Sequence, residues 1–180
     1  MQGGFRRDPP VPACTDAGCV VTLSYRYTLT REWRGGAGTV CWVMLNPSTA
    51  DDTVDDPTIR RVIRFSTDNG FRRLVVVNLF AARSTDPAEL VDMAGAGCDP
   101  RGPDNNEALR AAISQSLRVI YAWGASIPRP LDRLATEQIA HVSNLTYGYG
   151  LRPGCLGVTK HGHPRHPLYV AAATPLQPFG

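Results

Sequence analysis

The stretch TVCWVMLNPS, residues 39–48, decides how this chain is expected to fold. Its first part is almost wholly apolar, which is typical of a strand buried on both faces of a sheet. A polar turn follows at once, at Asn46-Pro47-Ser48. The same form recurs in FRRLVVVNLF (71–80), LRVIYAWG (117–124) and CLGVTK (155–160). These four stretches predict four buried strands, each running directly into polar or aromatic residues.

Helical patterns separate the strands. DDPTIRRVIRFSTDNG, residues 55–70, has Asp55 or Asp56 as a cap, a proline in the first turn and Asn-Gly at its end, so it predicts a helix. Two more helices are predicted, over 102–117 and over 130–142. Alternating strands and helices predict a three-layer α/β/α sandwich with a mostly parallel central sheet.

The N-terminal part of the chain differs from the rest. Residues 1–18 are rich in proline, glycine and charge and are expected to form a mobile arm, which leaves one domain over 19–180. CVVTLSYRYTLT, residues 19–30, alternates apolar and polar residues. A glycine-rich turn then leads to the first buried stretch, so the pattern predicts an N-terminal β-hairpin between the two.

Composition limits the class of protein. The net charge of +3 is too small to indicate a strongly basic protein, although a local basic groove would suffice for nucleic acid. The N-terminus has no apolar run after its arginines and no stretch is long enough to span a membrane, so we expect a cytoplasmic protein. We also expect it to be a monomer. Five scattered cysteines are typical of reduced thiols.

Ligands of open α/β sheets bind beyond the carboxyl ends of the strands. The residues expected to meet there are Asn46, Ser48, Asn78, Phe80, Trp123 and the loop TKHGHPRHPL, residues 159–168. Each has a plain alternative. Asn-Pro-Ser is also a common turn, a buried Asn78 could hydrogen-bond a neighbouring loop, and Phe80 and Trp123 could belong to the core.

Four motifs carry a resemblance. They are MLNPSTADDTVDDPT (44–58), VVVNLFAARSTDP (75–87), YAWG (121–124) and GHPRHPLY (162–169). Together they resemble an uncharacterised bacterial and phage protein family, which in turn is similar to a branch of the uracil-DNA glycosylase superfamily. The resemblance implies a glycosylase-like fold, with no cofactor and no metal. It also implies a hydrolase that flips a deaminated or 5-modified pyrimidine out of DNA and cleaves its N-glycosidic bond. No lysine lies in the main motifs, which favours a monofunctional enzyme that does not cleave the strand.

The resemblance also implies roles for residues. Asn46 would position the water, and His163 would donate a hydrogen bond to the base. Asp52 is a candidate general base, since the first motif has Asn where the most active uracil enzymes have Asp. Base-binding roles fall on Pro47, Ser48, Asn78 and Phe80, and DNA-binding roles on Lys160, Arg165, His166 and Leu168.

Two details of this assignment follow from departures from the superfamily pattern. The final loop is one residue longer than usual, so His163 and His166 both compete for the catalytic role. Ser48 stands where the strict uracil enzymes have a bulky aromatic wall, which implies room for a substituent such as 5-hydroxymethyl.

Other functions stay open at this point. The pocket could serve an N-glycoside hydrolase acting on nucleotides or RNA, or a non-catalytic reader of a modified base. His-x-His spacing could bind zinc, but Lys160 and Arg165 would repel a cation and attract phosphate. The acidic residues Asp51, Asp52, Asp55 and Asp56 could cap a helix, supply a base or hold a divalent metal.

Overall fold

The computed structural model of the protein describes residues 11–13, 21–48, 50 and 54–180. A small sheet pairs strand β1 (Val11–Ala13) antiparallel with β2 (Val21–Leu23). Most of the predicted N-terminal arm lies outside the described residues, and β1 is the part of it that is described.

The main sheet has six strands in the order β3-β5-β4-β6-β7-β8. Their bounds are Leu29–Glu32 (β3), Thr39–Met44 (β4), Arg73–Asn78 (β5), Arg118–Tyr121 (β6), Pro153–Cys155 (β7) and Gln177–Pro178 (β8). The four central strands are parallel, whereas β3 and β8 run antiparallel at the edges. The sheet is therefore mixed, which corrects the prediction of a mostly parallel one. Both edge strands are short, partly exposed and without an apolar run. Strand β7 is also short and ends at Cys155, so most of the strand predicted over 155–160 is wrong.

The predicted N-terminal hairpin is wrong in its pairing. Strand β3 pairs with β5, with Leu29 opposite Val76, and β5 separates it from β4. The glycine-rich connection packs on the turn before β5, where the amide of Ala37 donates to the Gly70 carbonyl at 2.8 Å. A Cβ at Gly36 would lie 2.6 Å from that same oxygen, so a glycine is needed for this close approach. The connection thus crosses an intervening strand.

Four α-helices accompany the sheet in the described residues. They are α1 (Pro57–Asp68), α2 (Pro87–Gly95), α3 (Asn105–Ser114) and α4 (Asp132–Gly148). Helix α1 begins as predicted: the Asp56 side chain accepts a hydrogen bond from the amide of Ile59 at 2.8 Å. Helix α2 was not predicted, and α4 extends beyond the predicted end at Val142. Two short 3₁₀ helices cover Arg129–Leu131 and Pro167–Tyr169.

Helices cover both faces of the sheet. In β4 the side chains of Val40, Trp42 and Met44 pack with α1, while Cys41 and Val43 pack with α2, α3 and α4. This alternation follows from the period of two along a strand. With both faces covered, the carboxyl ends of the parallel strands are left to form a site at one edge of the sheet.

Two further expectations concern cysteines and membranes. Cys41, Cys98 and Cys155 are free thiols and buried, and burial raises the pKa of Cys41 to about 12; Cys14 and Cys19 lie outside the described residues. Among the described helices, none combines the length and apolar character that a membrane crossing requires.

Candidate active site

A cavity of about 690 Å³ opens at the carboxyl ends of β4, β5 and β6. The turn after β4, the last residue of β5, the Trp-Gly pair after β6 and the final loop all contribute to its lining. The residues predicted for this site that line it are Asn46, Ser48, Asn78, Trp123, Lys160, Arg165, His166 and Leu168. Three strand ends and the final loop therefore converge on one place.

Asn46 is held in a single orientation by two carbonyl groups. Its side-chain nitrogen donates to the carbonyl of Ser84 at 2.8 Å and to that of Pro47 at 3.2 Å. The amide of Ser84 also donates to the Pro47 carbonyl, at 2.9 Å. Both acceptors require the nitrogen to face them, so Oδ1 points away. That oxygen accepts no hydrogen bond from the described residues and can hold a water or a ligand.

Asn78 ends β5 at the wall of the cavity. It is 2% exposed, yet no hydrogen bond joins its side-chain amide to the described residues. Its main-chain carbonyl accepts a hydrogen bond from the side-chain nitrogen of Asn105 at 3.0 Å. The alternative of a structural hydrogen bond to a neighbouring loop is not seen in the described part of the chain, so this amide is available to a ligand.

The final loop is a β-hairpin. Val158 pairs with Pro164, and the amide of Thr159 donates to the His163 carbonyl at 2.8 Å. Lys160 and His161 form the exposed tip. The hairpin is fixed to the end of β6, because the amide of Gly124 donates to the Pro164 carbonyl at 3.0 Å.

His166 follows the hairpin and lines the cavity. Its Nδ1 accepts a hydrogen bond from the amide of Leu168 at 3.3 Å, so the proton of the neutral ring resides on Nε2. Burial lowers the pKa of His166 below its usual 6.5, an effect that the nearby carboxylate of Asp56 partly opposes. At neutral pH the ring is uncharged and can donate one hydrogen bond from Nε2.

His163 and Phe80 do not line the cavity. The register of the hairpin places His163 on one of its arms, where its amide donates to the Thr159 hydroxyl at 3.2 Å. Of the two competing histidines, geometry therefore favours His166 over His163. Phe80 is fully buried in the core against α2, α3 and α4, so it has no face free to stack on a base.

Pro47 is buried, and its carbonyl fixes Asn46 and Ser84, so it shapes the turn without lining the cavity. Asp52, like Asp51, lies outside the described residues.

The structure adds Asp56 and Arg26 to the cavity. Asp56 caps α1 through Oδ1 and is the one carboxylate among the described lining residues. Asp55, by contrast, pairs with Arg31 at 2.8 Å. Arg26 is 7% exposed and donates to the carbonyl of Ala50. Its place in the alternating stretch SYRYTLT, a charged residue within a strand-like pattern, is the signal that sequence reasoning passed over.

Within the described residues, no group of three or more His, Cys, Asp or Glu side chains is arranged to hold a metal ion.

Residues 26–168 match a family model described as a protein of unknown function (DUF1643). The chain belongs to the DUF1643 family. The match begins at Arg26 and ends at Leu168, both of which line the cavity, so the DUF1643 segment contains every predicted site residue. No curated protein and no solved structure matches the chain at a significant level.

Proposed function

We propose that this DUF1643 protein is a monofunctional DNA N-glycosylase with a uracil-DNA glycosylase-like sandwich fold, acting on a deaminated or 5-modified pyrimidine flipped out of DNA. One observation carries the proposal: the Asn78 side chain is 2% exposed, lines the cavity and has no side-chain hydrogen bond to the described residues. A side-chain amide offers one donor face and one acceptor, which matches the O4 and N3–H edge of a uracil-like base.

The chemistry needs opposite charges on the two sides of the bond that breaks. As the N-glycosidic bond lengthens, positive charge develops on the sugar and negative charge on the base. Nε2–H of His166 is suited to donate to the base oxygen O2, and a neutral imidazole suffices. Asp56 is suited to stabilise the sugar cation. These groups act in a partly buried site, where electrostatic effects exceed those in water.

The nucleophile is water. Oδ1 of Asn46 accepts a hydrogen bond from it and directs its oxygen towards C1′ of the sugar. An amide is too weak a base to take the proton, so the proton passes to Asp56, whose second carboxylate oxygen is not used by the helix cap. The C1′–O bond forms, the C1′–N bond breaks, and the base leaves as an anion that solvent protonates.

Ser48 lines the cavity and directs the choice of base. Its small hydroxyl side chain leaves space where a bulky residue would exclude a C5 substituent. We therefore infer that a 5-substituted uracil, such as 5-hydroxymethyluracil, is released at least as fast as uracil.

A single-turnover assay tests the proposal. DNA strands that each carry one modified pyrimidine are incubated with excess protein, and abasic sites are revealed by alkali. Release of uracil or a 5-substituted uracil is expected. Tight, base-selective binding without an abasic product would instead identify a reader of modified bases.

The monofunctional assignment has its own test, because the chain has one lysine, Lys160, and that residue lines the cavity. Borohydride added during turnover would trap any imine between a protein amine and the abasic aldehyde. We expect no covalent adduct. An adduct that disappears in Lys160→Arg would contradict simple hydrolysis.

A further inference from the structure

Tyr169 is a large side chain in an unusual position. It is 77% exposed, more than any other large hydrophobic residue among those described, and it lies at the mouth of the cavity beside Leu168, which is 41% exposed. A single exposed aromatic residue elsewhere on a surface needs no explanation. An exposed ring that lines a cavity is different, because a ligand held in the cavity can contact it.

The ring is presented by a fixed backbone. Tyr169 ends the 3₁₀ helix Pro167–Tyr169, and its amide donates to the His166 carbonyl at 3.0 Å. Arg61 of α1 donates to the carbonyls on both sides of it, to Pro167 at 3.4 Å and to Val170. The rings of Tyr169 and His166 lie 5.5 Å apart between centroids, tilted by 47°. A ring held in this way loses little conformational entropy when a ligand stacks on it.

Two cations accompany the ring. Lys160 and Arg165 are exposed and line the same cavity. An aromatic surface beside cations suits single-stranded nucleic acid, whose bases offer free faces and whose backbone is anionic. In a duplex the neighbouring bases are already stacked, and unstacking one step costs a few kcal/mol.

We propose that Tyr169 is a stacking platform for the unpaired base next to the nucleotide held in the cavity, so that the protein binds single-stranded DNA in preference to duplex. This inference rests on the proposed function, since it takes the ligand of the cavity to be one nucleotide of a DNA strand. The sugar-phosphate backbone then runs past Lys160 and Arg165 while the adjacent base covers the exposed face of the ring.

Fluorescence anisotropy with an unmodified, fluorescein-labelled mixed-sequence strand of about 15 nucleotides tests the inference. The strand is used alone and annealed to its complement. We expect tighter binding of the single strand. Tyr169→Ala should weaken that binding by about 5- to 150-fold, the range found for single stacked bases, with a much smaller effect on duplex. Tyr169→Phe should retain the affinity, and Tyr169→Leu should lose it, because the ring and not the apolar surface is required.

Tyr149 provides a matched control. It is 46% exposed and lies at the C-terminal end of α4, before β7 and away from the carboxyl ends of the strands. Tyr149→Ala should leave both affinities unchanged. Preferential binding of duplex, or equal binding of single strand by Tyr169→Ala and wild type, would overturn the inference.

The two proposals fail separately. If single-strand binding depends on the ring but no base is released from any modified strand, the stacking role of Tyr169 is supported and the glycosylase proposal is contradicted. If Tyr169→Ala releases bases at the wild-type rate and binds DNA with the wild-type affinity, the stacking role is contradicted and the glycosylase proposal is supported.

Discussion

Two parts of the cavity lining differ in burial and in charge. Its wall, Asn46 and Asn78, consists of uncharged amides at the ends of neighbouring parallel strands, and Asn78 is almost completely buried. Its rim, Lys160, Arg165, Leu168 and Tyr169, is exposed and carries cations and apolar surface. A buried amide discriminates between ligands by hydrogen bonds, whereas exposed charge and rings bind many sequences. The wall is therefore suited to chemistry and base choice, and the rim to affinity.

The two parts also arise from different kinds of structure. The wall depends on non-local pairing: Met44 lies opposite Asn78 in the sheet, and the amide of Leu79 donates to the Met44 carbonyl at 2.9 Å. The rim comes from one continuous segment, the hairpin and the 3₁₀ helix that follows it. Changes in the wall should accordingly alter turnover, and changes in the rim should alter binding.

The largest effect is expected at Asn46. Asn46→Ala removes the acceptor that positions the water, and loss of one such positioned group commonly costs about 10²- to 10³-fold in rate. Single-turnover release of the base should fall by that factor while the dissociation constant for DNA stays within about 2-fold. Asn106, exposed on α3, is the matched control, and Asn106→Ala should leave both values unchanged.

The same assay decides between the two histidines. His166→Ala should slow base release more than His163→Ala, because only His166 lines the cavity. The reverse order would return the catalytic role to His163. If Asn46→Ala loses rate and affinity equally, the assignment of turnover to the wall and of binding to the rim is wrong.

Much of the wall could be predicted from sequence. Apolar stretches ending in Asn46 and Asn78 locate two strand ends without further information, since the pattern and the breaker are both local. The helix over 55–70 was predictable for the same reason, through its cap and its terminal Asn-Gly. The pairing of β3 was not, because the choice between β4 and β5 depends on contacts that are distant in sequence.

The site was less predictable where a side-chain direction mattered. Phe80 follows Asn78 by two residues and resembles a pocket residue in sequence, but it points into the core. Which histidine faces the cavity depends on the register of the hairpin, set by Val158 and Pro164. The role of Asp56 as a helix cap was predictable from sequence. That the same side chain also lines the cavity could be seen only in the tertiary structure.

The next largest effect is expected at Gly124, where the wall and the rim meet. A Cβ there would lie 3.1 Å from Cβ of His166, and the backbone has φ +76°. Gly124→Ala should shift His166 by a few tenths of an ångström and slow base release by about 10-fold, less than the roughly 100-fold that a misplacement of about 1 Å can cost. The strained φ should also cost about 1–2 kcal/mol of stability.

Gly150 separates these two effects. Its φ is +72°, but nothing lies within 4 Å of the position of its Cβ. Gly150→Ala should lower the melting temperature about as much as Gly124→Ala and leave base release at the wild-type rate. If both variants lose rate equally, general destabilisation explains the loss and Gly124 does not position His166.

A smaller effect, confined to binding, is expected for the cations of the rim. Replacing Lys160 and Arg165 together by Gln removes two phosphate contacts, so the slope of log affinity against log salt for single-stranded DNA should become shallower by about 1.4. The base-release rate at saturating protein should not change. Tyr169→Ala is the contrasting variant, because stacking releases no counterions and should leave the slope as it is. An unchanged slope in the double variant would move the backbone contacts to another surface.

The smallest effect is expected from the titration of His166, which lies between the wall and the rim. The pH dependence of stability, binding and base release shows whether His166 acts with the wall or with the rim. Burial lowers its pKa in the folded protein below 6.5. Above pH 6.5 the ring is neutral in both folded and unfolded chains and contributes no pH dependence. As the pH falls through 6.5 the unfolded chain takes up the proton first, so the free energy of unfolding decreases until the pH reaches the folded pKa. Urea denaturation across this range should show that decrease in wild type and a smaller one in His166→Gln. Asp56→Asn keeps a good helix cap but removes the charge that raises the pKa, so its decrease should extend to lower pH.

DNA binding and base release give the functional side of the same titration. If His166 acts with the wall, its protonation at Nδ1 removes the acceptor for the Leu168 amide that orients the ring. Base release should then fall as the pH falls through the folded pKa of His166, which lies below 6.5, without a matching loss of affinity. A histidine of the rim would behave in the opposite way, because a new positive charge facing phosphate tightens binding and leaves the rate of the bound complex alone. Wild type and His166→Gln are compared over the pH range in both assays. A pH-dependent gain in affinity that disappears in His166→Gln, with a flat rate of base release, would place His166 in the rim and leave the wall without its donor to the base.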